Sequence, residues 1–168
     1  MKYKNLYIDT AYLLLLGMTL GAVLFLGIGV TAVVFHTEYL LATPLSHYDE
    51  GLIMSEIFRR FSYWSYFMAF FIIVYESFEY KSMKRDKIAG LSAFIAIFTL
   101  LMFSGVYVPK ILQMQEEGEK ATQSSAFEAV HMGSEIDFKI LAVALIVLFV
   151  RRLMLLRTIK PNSKLTNV

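Results

Sequence analysis

Residues 11–35, AYLLLLGMTLGAVLFLGIGVTAVVF, carry no charged side chain. A helix needs about 20 predominantly apolar residues to cross a bilayer, so this run predicts a membrane-spanning helix. The stretch IAGLSAFIAIFTLLMFSGVYVP at 88–109 is likewise uncharged and stops at Pro109. Only 18% of the 168 residues are charged and 57% are hydrophobic, where soluble domains run near ~25% charged. The composition is that of a membrane protein.

Two further runs, FSYWSYFMAFFIIVY (61–75) and ILAVALIVLFV (140–150), are too short to span unless flanking charged residues are drawn in. Arg and Lys can do this by keeping their stems in lipid and their heads at the interface. The pattern therefore predicts an all-α fold: a single domain over 1–168, an integral membrane four-helix bundle of antiparallel up-down topology. Its helices are expected at about 7–35, 54–80, 88–112 and 134–157. Lys2 and Lys4 before the first run imitate a secretory signal. The run is longer than a signal's apolar region and no small-residue cleavage site follows, so a retained helix is expected.

The basic residues set an orientation. The N-terminal tail, the 80–87 loop and the C-terminal tail hold 11 of the 16, while 36–60 and 110–139 hold five against ten acids. By the positive-inside rule both termini and the 80–87 loop of this multi-pass chain are expected in the cytoplasm. His36, His47 and His131 then all fall on the outer side. The outer connections are the longer ones. Pro44 and Ser46 mark a turn and a helix start, and both connections read as partly ordered lids.

Gly17, Gly21 and Gly29 lie on one row of the first helix. Small residues there let another helix approach, within the bundle or in a homodimer or larger membrane complex.

The outer mouths of helices two and four are charged. Glu56, Arg59, Arg60 and Tyr63 follow i, i+3, i+4, i+7, and so do His131, Ser134, Glu135 and Phe138, with Lys139 beyond. Each set lies along one helical face. The opposite signs suggest pairing between helices, Arg59 with Glu135 or Asp137 and Glu56 with Lys139. In the plainest reading this cluster only fixes helix register. In the functional reading it is a polar, outward-facing ligand or ion site built from His47, Glu56, Arg59, His131, Ser134 and Glu135. Imidazole binds zinc, copper and iron, so His36, His47 and His131 with Glu135 form a candidate metal set. Haem b or a transition metal is the candidate cofactor, although no HxxxH or HExxH pair fixes a geometry locally.

The stretches LSHYDEGLIMSEIFRRF (45–61), YVPKILQMQEEGEKAT (107–122) and FEAVHMGSEIDFK (127–139) resemble the domain-of-unknown-function 4149 family, small bacterial inner-membrane proteins related to eukaryotic transmembrane protein 205. Gly51, Ile57 and Phe58 match the family's opening of helix two. Phe127, His131 and Ser134 match its opening of helix four, and Pro109 and Ile111 its exit from helix three. His47 before the glycine and Glu135 after the second histidine are closest to epsilonproteobacterial members. The first motif departs, since TAVVFHT has Phe35 without the proline that precedes it in the family. The resemblance implies four helices and a multi-pass place in a bacterial inner membrane, but no activity.

Absent cysteine excludes disulfides, thiolate metal sites and covalent haem. A net charge of +2 with no basic tract speaks against nucleic acid as a partner. Nucleophile motifs, phosphate-binding glycine loops and dinucleotide fingerprints are missing, so an enzyme is not the leading expectation. The leading expectation is a membrane protein that binds a small ligand or ion at its outer site, in transport or homeostasis. The alternatives are a haem- or metal-dependent redox protein and an assembly or scaffold subunit, with the lipid bilayer as the surrounding partner in every case.

Overall fold

The computed structural model of the chain describes residues 6–81 and 86–157. Four long helices account for most of them: α1 (Leu6–Val34), α2 (His47–Lys81), α3 (Lys87–Glu116) and α4 (Ser125–Arg157). There is no strand among the described residues. Two of the helices, α1 and α3, are long and apolar enough to cross a membrane.

Local chemistry sets the helix starts. The Ser46 hydroxyl accepts from the Asp49 N–H (3.1 Å) and donates to the Asp49 carboxylate (2.6 Å). That reciprocal cap starts α2 at His47 rather than near 54. Ser124 accepts from the Phe127 N–H (3.2 Å) and starts α4 at Ser125 rather than near 134. Asp86 caps α3 by accepting from the Ala89 N–H (2.8 Å). At the other end of α3, Gly118 takes φ 99° and ψ 176°, a backbone conformation open chiefly to glycine, and the helix ends before it. The short helix Glu119–Thr122 then leads into α4.

Two helices widen internally. Phe25–Val30 in α1 and Phe103–Tyr107 in α3 each form a π turn. Pro109 follows the second; its ring has no N–H and crowds the carbonyl four residues back, so a wider turn lets α3 continue to Glu116 instead of stopping. Hydroxyls satisfy carbonyls in both turns: Thr31 donates to the Leu26 oxygen (2.8 Å) and Tyr66 to the Ser104 oxygen (2.9 Å).

The core runs the length of the molecule. α3 buries Ala89, Ala93, Ala96 and Leu100, and α4 buries Leu141, Ala144, Leu145 and Leu148. Small residues allow close axes, and α3 against α4 is the most extensive helix pair. The glycine row expected to do this on α1 does so only in part. A Cβ on Gly17 would lie 3.5 Å from Phe149, whereas Gly21 faces open space and Gly29 meets only Phe25 of its own helix.

The end nearest the chain termini, the proximal end, holds a buried polar network. The Arg152 guanidinium, 5% exposed, donates to both carboxylate oxygens of Glu76 and to Glu79 (3.2 Å). Tyr12 donates to Glu76 (2.9 Å) and Tyr75 to Asp9 (2.7 Å), and the two rings stack at 3.6 Å. Arg151 forms a forked pair with Asp86, with a closest approach of 2.7 Å. These contacts tie α1, α2 and α4 together and fasten the start of α3. Several of the basic residues behind the orientation argument (Lys2, Lys4, Lys84, Arg85, Lys160 and Lys164) lie outside the described residues.

Candidate functional site

At the opposite, distal end the helices part. No residue of Phe25–Val30 or Thr31–Val34 is buried, so the last part of α1 stands as a thin wall. Phe138 of α4 marks the depth at which it separates: a Cβ on Gly27 would come within 3.3 Å of that ring, and Phe103 of α3 lies 4.8 Å from it, centroid to centroid. The two π turns therefore face each other at one level. Between them and the start of α2 lies a cavity of about 810 Å3. Small-molecule sites occupy roughly 300–1,000 Å3, so the size is that of a ligand pocket.

The floor is apolar. Val23, Met54, Phe58, Phe103 and Phe138 line it. The three phenylalanines interlock, with Phe58 edge-on to Phe103 (5.2 Å) and to Phe138 (5.5 Å). Polar groups collect at the rim: His47, Gln115, Glu119, His131, Glu135 and Lys139.

Most of the rim charge is neutralised within it. Glu135 takes Lys139 on one oxygen (3.1 Å) and His131 on the other (3.3 Å), one helical turn away on either side. The His131 ring also stacks on Phe127 at 5.9 Å. Across the cavity, His47 meets the buried Glu50 at 3.3 Å, and Thr37 donates to the other oxygen of Glu50 (2.8 Å). Ser134 is buried and donates back to the His131 carbonyl (2.7 Å). Gln115 differs from these. It is 4% exposed and its carbonyl accepts from the Tyr48 hydroxyl (2.9 Å), yet its side-chain amide makes no hydrogen bond among the described residues.

A family model described as a domain of unknown function, DUF4149, matches residues 14–120. The chain belongs to the DUF4149 family. No curated protein and no solved structure matches it. The matched DUF4149 segment supplies the cavity walls from α1, α2 and α3. The α4 contribution, including His131, Ser134 and Glu135, comes from beyond it.

The structure brings His47, His131, Ser134 and Glu135 of this DUF4149 chain to one cavity, and leaves Glu56, Arg59 and His36 off its walls. The ion pairs expected between helices are instead local. Arg59 donates twice to Glu56 (2.6 and 2.9 Å) and Arg60 donates to the same carboxylate (2.8 Å), while Lys139 pairs with Glu135. The i+3 and i+4 spacings already supply a partner within reach, so no crossing is needed. His36 is exposed and its Nδ1 lies 2.9 Å from the Ala32 oxygen. Among the described residues no three of His, Asp and Glu assemble into a set that could hold a metal ion. Asp137, one of the two partners expected for Arg59, is buried, with one carboxylate oxygen lacking a hydrogen-bond partner among the described residues.

Sequence reasoning missed Gln115 and the phenylalanine floor. Phe58 and Phe138 stand in motif stretches and were legible as helix-face residues. Gln115 gave no signal, because a glutamine near the end of a helix is ordinary and its burial depends on Tyr48 and Gly51 across the gap.

Proposed function

We propose that this chain is a multi-pass protein of a bacterial inner membrane. In this reading it is an antiparallel four-helix bundle with cytoplasmic termini, and it binds a small amphipathic molecule in the outward-facing distal cavity, in transport or homeostasis. One observation carries the reading: a cavity of about 810 Å3 with an aromatic floor and a polar rim. A bare ion requires converging oxygen or nitrogen ligands, and a floor of phenylalanine favours a molecule with an apolar body.

The membrane setting is supported by the outer surface. Leu14, Phe70, Phe94 and Val143, one on each helix, are 62–66% exposed. Soluble monomers rarely present large contiguous apolar patches, whereas lipid covers such a belt on all sides. The 11-to-5 split of basic residues supports the orientation.

Photo-cross-linking tests the binding. The full chain is reconstituted in phosphatidylethanolamine–phosphatidylglycerol vesicles with a diazirine-bearing oleoyl lipid and irradiated. Labels are expected on Phe70 and Phe94 from the bilayer, and also on Phe58, Phe103 or Phe138. Gly51→Leu, which places a side chain in the cavity, should remove the second group alone. Labelling confined to the outer surface would sink the reading.

A further inference from the structure

The hydroxyls around the cavity are already committed. Thr31 donates to the Leu26 oxygen (2.8 Å), Tyr48 to the Gln115 oxygen (2.9 Å) and Ser55 to the Gly51 oxygen (2.8 Å). Thr122 donates to the Glu119 carbonyl (2.8 Å) and Ser134 to the His131 carbonyl (2.7 Å). These five are the Ser, Thr and Tyr residues that line the cavity, and each gives its proton to a main-chain carbonyl. What a hydroxyl keeps after donating is lone pairs, so these side chains offer acceptors rather than donors. Five phenylalanines stand among them: Phe35, Phe58, Phe103, Phe127 and Phe138. Aromatic rings attract a positive charge over their faces and need no hydrogen bond to do so.

Charge agrees in sign. Lys139 is the one Lys or Arg lining the cavity among the described residues, and Glu135 holds it at 3.1 Å. Glu119 also lines the cavity, and its carboxylate meets only the Gln123 amide (3.4 Å) among the described residues. With neutral histidines the lining therefore carries two carboxylates against one ammonium. Glu50, buried beside His47 at 3.3 Å, adds a third carboxylate close to the wall. The unpaired Gln115 amide nitrogen is neutral and leaves this balance unchanged. The wider distal end leans the same way, with ten acids against five bases in 36–60 and 110–139. Its two arginines, Arg59 and Arg60, are held by Glu56 off the cavity walls. A cleft of one sign concentrates ligands of the other. A phosphate or carboxylate head meets no free cation here, and forked guanidinium contacts are what such heads normally recruit.

Resting on the cavity reading above, we infer that the ligand is a lipophilic organic cation, its apolar body on Phe58, Phe103 and Phe138 and its charge toward Glu119 and Glu135. The aromatic floor selects the body, and the surplus of carboxylates and acceptors selects the sign.

Three probes with similar rings separate the charges. Tetraphenylphosphonium and tetraphenylborate are close in size and shape and opposite in sign, and triphenylphosphine oxide is a neutral acceptor. Each is titrated by calorimetry into the full-length protein in dodecyl maltoside, and cavity binding is the part that Gly51→Leu removes. The phosphonium should bind about fivefold or more tighter than either other probe and weaken as salt is raised, because the rim charges face water. Glu119, Glu135 and Lys139 are exposed, so neutral variants there keep the fold. Glu119→Gln should weaken the phosphonium about threefold, and Lys139→Gln should tighten it by a similar factor. Glu135→Gln also frees Lys139, so it should weaken the phosphonium about tenfold and strengthen the borate. Equal or tighter cavity binding of the borate or the oxide would overturn the inference and leave the cavity reading standing. So would phosphonium binding that ignores all three charge changes. Binding of none of the three would end the inference, and the lipid cross-link at Phe58, Phe103 or Phe138 then decides the cavity reading separately.

Discussion

Arg59 and Arg152 look alike in the sequence, each a member of an arginine pair at the edge of an apolar run, but they have opposite fates. Arg59 lies on the surface with Glu56 on its own helix, whereas Arg152 is buried and joins α4 to Glu76 and Glu79 of α2. Arg152→Ala leaves carboxylates buried without their cation and should cost about 3–5 kcal/mol in detergent melts. Arg59→Ala should leave the melting temperature unchanged, since the pair it breaks is exposed and local. Equal losses would mean that the proximal network is not a fastening. Asp86 adds a test by pH. The Arg151 guanidinium beside it, with help from the Ala89 N–H, holds its carboxyl below the usual carboxylate range. A lowered folded value means that the stabilisation is complete above the unfolded value of about 4 and is lost as pH falls through the folded one. Asp86→Asn keeps a capping side chain and loses the ion pair, so its melting temperature should trail the native protein at pH 7 and converge with it in acid. Asp86→Ala also loses the cap, worth about 1 kcal/mol more. A gap between native and Asn proteins that ignores pH would refute the ion pair.

Among the elements, the apolar runs made α1 and α3 legible, because a long uncharged stretch has few other ways to fold. The starts of α2 and α4 were displaced by several residues for a physical reason: hydropathy tracks the apolar segment, while a helix begins where Ser46 or Ser124 caps it. The π turns left no such trace. Pro109 marks the second only in hindsight, and the first, around Gly27 and Gly29, contains residues common in any membrane helix. The same limit applies to the candidate site. His47 and His131 could be placed at one end from spacing and charge, but their lining of one cavity with the phenylalanines depends on how α2 and α4 are rotated toward each other, which the periodicity within a single helix does not give. The register of Gln115 beyond the π turn of α3 is tested by inserting an alanine after Val106. The wide turn already takes up one extra residue, so a second rotates Val108–Glu116 by about 100°. Gln115 should leave the cavity wall and the Tyr48 bond should break, and ligand-dependent stabilisation should vanish while the helix content by circular dichroism stays. Retained ligand response would show that the register of α3 beyond the π turn does not set the cavity.

For the molecule as a whole, the proposed orientation makes a direct prediction. The native chain has no cysteine, so single cysteines report without background. Replacements at Ser46 and Ser124 should react with an impermeant maleimide in intact spheroplasts, and one at Ser82, which lies outside the described residues, should not. Labelling at Ser82 alone would turn the cavity toward the cytoplasm. The asymmetry between the two ends also has a mechanical consequence. Proximally, α1 is gripped through Asp9 and Tyr12, with Leu16, Thr19 and Val23 buried above them. Beyond the π turn it buries nothing. The segment from Phe25 to Val34 is thus a lever about 15 Å long, at about 1.5 Å per residue, and a swing of about 10° at its hinge carries the tip by about 2.5 Å. Leu26 packs against the core near the hinge and Thr37, just past the tip, donates to Glu50, so such a swing strains one partly buried side chain and one hydrogen bond. In the proposed membrane setting it opens the cavity sideways into the hydrocarbon, and a molecule with an apolar body enters from the leaflet in which it is already dissolved, without ever crossing an aqueous phase.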